Sequence, residues 1–250
     1  MSSNEEELLF IPKEEIPSQN FSVHIKEPTF KDRVEANKRV PEDSNLGYSI
    51  PQLMLSMCIK KLNNKSVSFT PKDPICNIRP MSTRDQQFLI SVFSGAFYLD
   101  EELVEDVKSI SEEMRKDDTK ESFTIPKDRM PTESLSVTFR VPSTGDQIDL
   151  DRRYPGNNQQ VGYTFEEFFF SNLLTHVNGE ELDKKQDGLS NMFEWKNIDA
   201  EYCVAAFLQM NFIDKEMREK ANELGKKWRR KSKTGKRTSN SQEDTTATQQ

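Results

Sequence analysis

GYTFEEFFFSNLLTHVNG, residues Gly162 to Gly179, has an earlier counterpart in GYSIPQLMLSMCIKKLNN, residues Gly47 to Asn64. At an offset of 115 Gly47 aligns with Gly162, Tyr48 with Tyr163, Ser56 with Ser171 and Asn63 with Asn178. The apolar positions follow: Leu53, Met54, Leu55, Cys58, Ile59 and Leu62 fall on Phe168, Phe169, Phe170, Leu173, Leu174 and Val177. A self-similarity of this length decides architecture before any single motif does, because it says that one supersecondary unit occurs twice.

Working outward, each copy is preceded by an alternating stretch. Phe21, Val23 and Ile25 alternate with Ser22, His24 and Lys26, and Leu135, Val137, Phe139 and Val141 alternate with Ser136, Thr138 and Arg140. That is the period of a half-buried strand, and each run stops at a proline, Pro28 or Pro142, which cannot donate to a ladder. Asp32 with Asp146, Arg39 with Arg153 and Pro41 with Pro155 continue the match at an offset of 114. Ser143, Thr144, Gly145 and Asp146 read as a turn, so a hairpin is expected over Gln147 to Tyr154.

Ser49 with Gln52, and Thr164 with Glu167, have the spacing of a capping box and start a helix in each copy. Asn63 and Asn64, or Asn178 and Gly179, tolerate a left-handed conformation and are expected to end it. A second helix follows: MSTRDQQFLISVFSGAFYLD matches WKNIDAEYCVAAFLQMNFID at an offset of 114. Ser82 or Thr83, and Asn197, are its candidate N-caps, while Asp85 and Asp199 meet the positive end of the helix dipole.

The expected fold is therefore α+β: a tandem duplication of a strand or hairpin plus two-helix unit, helix-rich, with disordered termini. Residues 1–20 read as an acidic arm with a docking segment at Leu8, Leu9, Phe10 and Ile11; residues 21–108 are the first repeat and 135–225 the second. Between them residues 109–134 read as a charged linker, with a solvated helix over Glu101 to Arg115 leading into it. Residues 226–250 form a basic and then polar tail, of which residues 231–250 lack anything to bury and read as disordered.

The net charge of −7 conceals an asymmetry: Lys226 to Arg237, KKWRRKSKTGKR, holds eight basic residues and no acidic one, so the other 238 residues carry −15. Lys226, Lys227, Trp228, Arg229, Arg230 and Lys231 are the candidate polyanion-binding group, the indole stacking on a base or sitting at a membrane interface while the cations meet phosphates. The competing reading is a solubilising or partner-docking helix end. No apolar run is long enough to span a bilayer, and the acidic MSSNEEELLF start lacks the basic segment of a signal peptide, so a cytoplasmic protein without a membrane span is expected.

Chemistry is sparse. His24 and His176 do not match between the copies and neither has a ligand-spaced neighbour, and Cys58, Cys76 and Cys203 form no close pair. Gly145, Gly156 and Gly162 fit no phosphate-binding loop. No catalytic residue, metal site or cofactor is expected, and the protein is read as non-enzymatic. Phe168, Phe169 and Phe170 lie about 100° apart around a helix, so at least one is a candidate partner-binding side chain beside the simpler reading of all three as core.

FRVPSTGDQIDLD, from Phe139 to Asp151, and STRDQQFLISVFSGAFYLD, from Ser82 to Asp100, resemble phrases in the baseplate hub and tail-assembly chaperone proteins of T-even-type tailed bacteriophages. The resemblance covers Phe21 to Asp214, and the chain departs from the pattern by lacking loop cysteine pairs. It implies a structural component or assembly chaperone that contacts other tail or baseplate proteins in the host cytoplasm, or in the virion. It brings no catalytic residue with it.

Overall fold

A computed structural model describes residues 8–40, 47–116, 120–157, 160–183, 188–212 and 218–227. The chain divides into Met1–Met210 and Asn211–Gln250. The first unit is α+β and holds two four-stranded antiparallel sheets of the same strand order, β1-β2-β3-β4 and β5-β6-β7-β8.

The first sheet consists of β1 (Leu8–Ile11), β2 (Val23–Lys26), β3 (Ile59–Leu62) and β4 (Lys65–Ser66). Val23 and Ile25 point into the core while His24 and Lys26 stay half exposed, as the alternation requires. The expected docking segment is thus β1, paired Leu9 to Ile25 along the edge of the sheet. The second sheet consists of β5 (Ser122–Ile125), β6 (Val137–Arg140), β7 (Leu174–Val177) and β8 (Glu180–Glu181). Its first strand lies inside the expected linker, whose residues 127–129 form a 3-10 turn. Phe123 and Ile125 are buried against Phe139 and Val137, so the segment is sheet rather than spacer. The register slips at the matching place in each half, between His24 and Ile25 and between Thr138 and Phe139.

Helices α1 (Phe30–Arg39) and α5 (Thr144–Arg153) follow the central strands. The hairpin expected over Gln147 to Tyr154 is corrected to helix. Ser143 Oγ accepts from the Asp146 N–H at 3.1 Å while the Asp146 carboxylate accepts from the Ser143 N–H at 2.8 Å, a capping box that a turn reading of Ser-Thr-Gly-Asp overlooks. The same aspartate also binds the preceding strand, Arg140 donating to Asp146 at 2.5 Å and Lys26 to Asp32 at 2.7 Å.

Helices α2 (Ile50–Cys58) and α6 (Phe165–Leu173) start at the expected capping boxes but end earlier than expected. The chain passes directly from each into β3 or β7, and the asparagines turn a hairpin: φ is +49° and +61° at Asn63 and Asn64, +53° and +79° at Asn178 and Gly179. Two consecutive positive φ values are what a two-residue I′ turn needs. Each asparagine side chain also accepts from the start of the central strand, Ser22 N–H at 3.0 Å and Ser136 N–H at 2.8 Å.

Helix α3 (Thr83–Phe97) is capped by Ser82, and α7 (Asn197–Asn211) begins at Asn197 itself rather than using it as a cap. Asp85 and Asp199 are buried and do more than face a dipole. Asp85 accepts from Ser18 N–H and Ser82 Oγ; Asp199 accepts from Thr132 N–H, Thr132 Oγ1 and Ser134 Oγ. Each carboxylate so anchors the segment that leads into the central strand. Helix α4 (Glu101–Arg115) is not solvated all round: Val107, Ile110 and Ser111 are buried, and Ser111 Oγ donates to Ala206 O in α7.

Two cores result. Leu53, Met54, Leu55, Leu89 and Phe93 fill one; Phe139, Phe168, Phe169, Phe170, Tyr202 and Phe207 fill the other. Helix α1 is shared, giving Ala36 to the first and Phe30 and Val34 to the second.

The strand-to-helix bridges make stability acid-sensitive. The Arg140 guanidinium beside Asp146 holds its carboxyl well below the usual range; at Asp32 burial works the other way, but hydrogen bonds from Lys26 and Thr29 outweigh it. A folded-state pKa below the unfolded one gives stability that is fully present above the ordinary carboxylate value of about 4 and lost as pH falls through the lowered folded values. Urea midpoints are therefore expected to fall as pH drops from about 5 to about 2, and Asp146→Asn to lower the neutral-pH midpoint while making that fall shallower. An equally steep fall in the variant would show that Asp146 is not one of the groups responsible.

Candidate functional site

The residues singled out from sequence are not brought together. Phe168, Phe169 and Phe170 are 6%, 1% and 0% exposed, so none offers a surface to a partner. Their rings pack against Tyr163, Phe165, Phe139 and Phe207, and the partner-binding expectation gives way to core. The His24 ring lies tilted against that of Phe10 and reaches Asn64 Oδ1 at 3.1 Å; His176 lies beside Thr175 Oγ1. Cys58 and Cys203 are buried, and burial pushes the Cys203 thiol up, away from the reactive thiolate. Among the described residues no group of three or more His, Cys, Asp or Glu could hold a metal ion. No helix among them is long and apolar enough to cross a membrane.

Residues 218–227 are helical and exposed, so Lys226 and Lys227 are open to a ligand, Lys226 pairing with Glu223 at 2.6 Å. Trp228, Arg229, Arg230 and Lys231 lie outside the described residues.

The densest polar chemistry stands where the two halves of the first unit meet. The turn into α1 threads onto the segment before α7: Asn197 N–H donates to Pro28 O at 2.8 Å and Phe30 N–H to Trp195 O at 2.9 Å. Arg33 forms an ion pair with Glu167, both largely buried, and its guanidinium lies over the Phe30 ring. Glu167 is also the N3 carboxylate of the α6 capping box, accepting from Thr164 N–H at 2.9 Å, so one side chain starts a helix and holds the other half. Asn37 Nδ2 donates to Gly162 O at 3.1 Å, and Gln160 Nε2 to Asn37 O at 2.9 Å.

Glu201 completes this cluster, accepting from Asn197 Nδ2 at 3.0 Å and from the Leu99 N–H. Burial raises its carboxyl, and the Arg33 charge pulls it only partly back. Burial, with the Glu201 charge adding to it, pushes the Tyr98 phenol up to about 12. Arg33, Asn37, Glu167, Asn197 and Glu201 are each bonded across the junction. The arrangement orients and joins the two halves.

The matches between the copies do not announce this cluster. At the same offsets Arg33 faces Gln147, Glu167 faces Gln52, Phe30 faces Thr144, Trp195 faces Met81 and Glu201 faces Gln87. At these five positions the charged or aromatic residue belongs to the copy that uses it at the junction.

No protein-family model, curated protein or solved structure matches this chain.

Proposed function

We propose that this chain is a non-enzymatic tail or baseplate assembly protein of a contractile-tailed bacteriophage, a structural component or assembly chaperone that works by protein–protein contacts. It acts in the host cytoplasm during assembly, and in the virion if it stays with the particle. The reading is carried by the two resembling phrases. FRVPSTGDQIDLD covers the end of β6, the Arg140–Asp146 bridge and the capped start of α5. STRDQQFLISVFSGAFYLD covers the Ser82 cap, the buried Asp85 and the length of α3. The polar residues that make both phrases recognisable are bonded into the scaffold, so the likeness concerns how such a protein is built. Expressed with an affinity tag during infection, the chain is expected to co-purify with tail or baseplate proteins. Recovery without any of them, from cells that are producing particles, would remove the proposal.

A second reading rests on the exposure of Lys226 and Lys227 at the end of the 218–227 helix. With the tail as the binding element, ending the chain at Gly225 abolishes binding to a single-stranded oligonucleotide, and raising the salt weakens the intact chain steeply through counterion release. Unchanged affinity after truncation would exclude the tail. The acidic remainder repels a polyanion, so the two results are distinct.

A further inference from the structure

The way the first half grips the second is drawn again on the two outer faces of the molecule. Helix α1 presents Phe30, Arg33, Val34, Asn37 and Lys38 across the junction. Moving 114 residues along gives Thr144, Gln147, Ile148, Asp151 and Arg152, on α5 and at the same distances from an equivalent capping box. Val34 is 2% exposed, whereas Ile148 is 47% exposed.

The receiving surface has its counterpart as well. Gly162 stands under α1 so closely that a Cβ there would lie 2.2 Å from Val34 O. Gly47 has nearly the same backbone conformation, φ +74° against +79°, and no described atom lies within 4 Å of its would-be Cβ. Among the described residues nothing covers Gly47, whereas α1 covers Gly162. The charge pair across the junction, Arg33 with Glu167, maps onto Gln147 and Gln52. Both members are amides here, each with a donor and an acceptor, while the charges on the outer faces, Arg152 beside Asp149 and Arg79 beside Asp73, have partners within their own half.

We propose that a second copy of this chain docks here: α5 of one copy lies over the Gly47–Gln52 surface of the next, with Ile148 in the role that Val34 has inside the molecule. The occupant follows from continuity with the internal junction, since each outer face is the counterpart of a surface already fitted to the other. The two surfaces differ, so the contact is heterologous and adds copies head to tail, as a ring or an open row, instead of closing as a two-fold dimer. It is looser than the junction. Thr144 replaces Phe30, and Arg79 and Met81 replace Phe193 and Trp195, which removes the aromatic anchors and makes the association reversible.

Sedimentation velocity of the full chain over a range of concentrations tests this. The mean mass is expected to rise with concentration. Ile148→Asp should abolish the rise while leaving the unfolding curve unchanged, because the side chain is exposed. A chain carrying Gln147→Arg, mixed with one carrying Gln52→Glu, should associate about tenfold more tightly than wild type by rebuilding the internal ion pair. Glu at position 52 keeps the helix start, since carboxylate and amide both serve at N3. A monomer in both the wild-type and the mixed experiments overturns the proposal. So does an oligomer that Ile148→Asp leaves intact, or a mixed pair no tighter than wild type, because either places the contact elsewhere. Loss of a different protein on Ile148→Asp, with no self-association in wild type, would assign the face to that protein and reject the second copy.

Discussion

Gly162→Ala is expected to destabilise the protein by about 3–5 kcal/mol, against about 1–2 kcal/mol for Gly47→Ala. Both glycines have a left-handed backbone, φ +79° and +74°, and an L side chain costs about 1–2 kcal/mol there whatever the surroundings. Only at Gly162 does a clash add to it. The new Cβ would stand 2.2 Å from the Val34 carbonyl and 2.7 Å from Lys38 Cγ, and the first of these is backbone that cannot swing aside. Helix α1 must then lift away, stretching the Asn37 bond to Gly162 O and the buried Arg33–Glu167 pair. Urea unfolding of the two variants, followed by the fluorescence of Trp195 at the junction, separates strain from contact. Equal losses at the two positions would mean that the close approach of α1 contributes nothing.

Phe207→Ala should cost a similar amount, about 3–5 kcal/mol, through a cavity. Phe207 is fully buried on α7, and its ring lies 5.7, 5.5 and 5.4 Å from those of Phe139, Phe169 and Phe170. Strand β6 and helix α6 therefore both rest on it. Three aromatic neighbours held by separate elements cannot all move into the vacated space, so little of the loss is recovered by collapse. Phe207→Leu retains most of the volume and should cost less than half as much. Thermal and urea denaturation of both variants would check this, and an alanine variant within about 1 kcal/mol of wild type would show that the rings do not form one packed group.

Much of the scaffold is legible in the sequence because its signals are local. The alternation of Val23 and Ile25, the Ser49–Gln52 and Thr164–Glu167 boxes and the Ser82 cap each depend on neighbours a few residues away. The misreadings have a common origin, in residues whose chemistry suits two structures. Asn63 and Asn178 tolerate positive φ equally well at a helix end and in a I′ turn, and the cross-strand partners that decide the matter, Ser22 and Ser136, are about forty residues away. Ser143 to Asp146 can close a turn or open a helix, and it is Arg140, one strand earlier, that fixes the carboxylate in the second role. Strand β5 is hidden by the charged residues around it, although Phe123 and Ile125 alternate with Ser122 and Thr124. The junction is the least legible part, since Arg33 and Glu167 meet across 134 residues of sequence. Both positions differ between the copies, Arg33 against Gln147 and Glu167 against Gln52, but so do many that lie away from the junction.

The sharing of α1 between two cores also sets an order of events at the ribosome. Phe30 and Val34 leave the exit tunnel long before the core that takes them up, because Glu167 trails Arg33 by 134 residues. At about 5–20 residues per second that is a wait of about 7–27 s. During this interval the amino-terminal half can close its own sheet and helices, yet it carries an apolar stripe with no socket. The nascent chain is thus sticky on one defined helix for seconds, and slow translation or premature termination between the halves leaves a fragment that still carries that stripe.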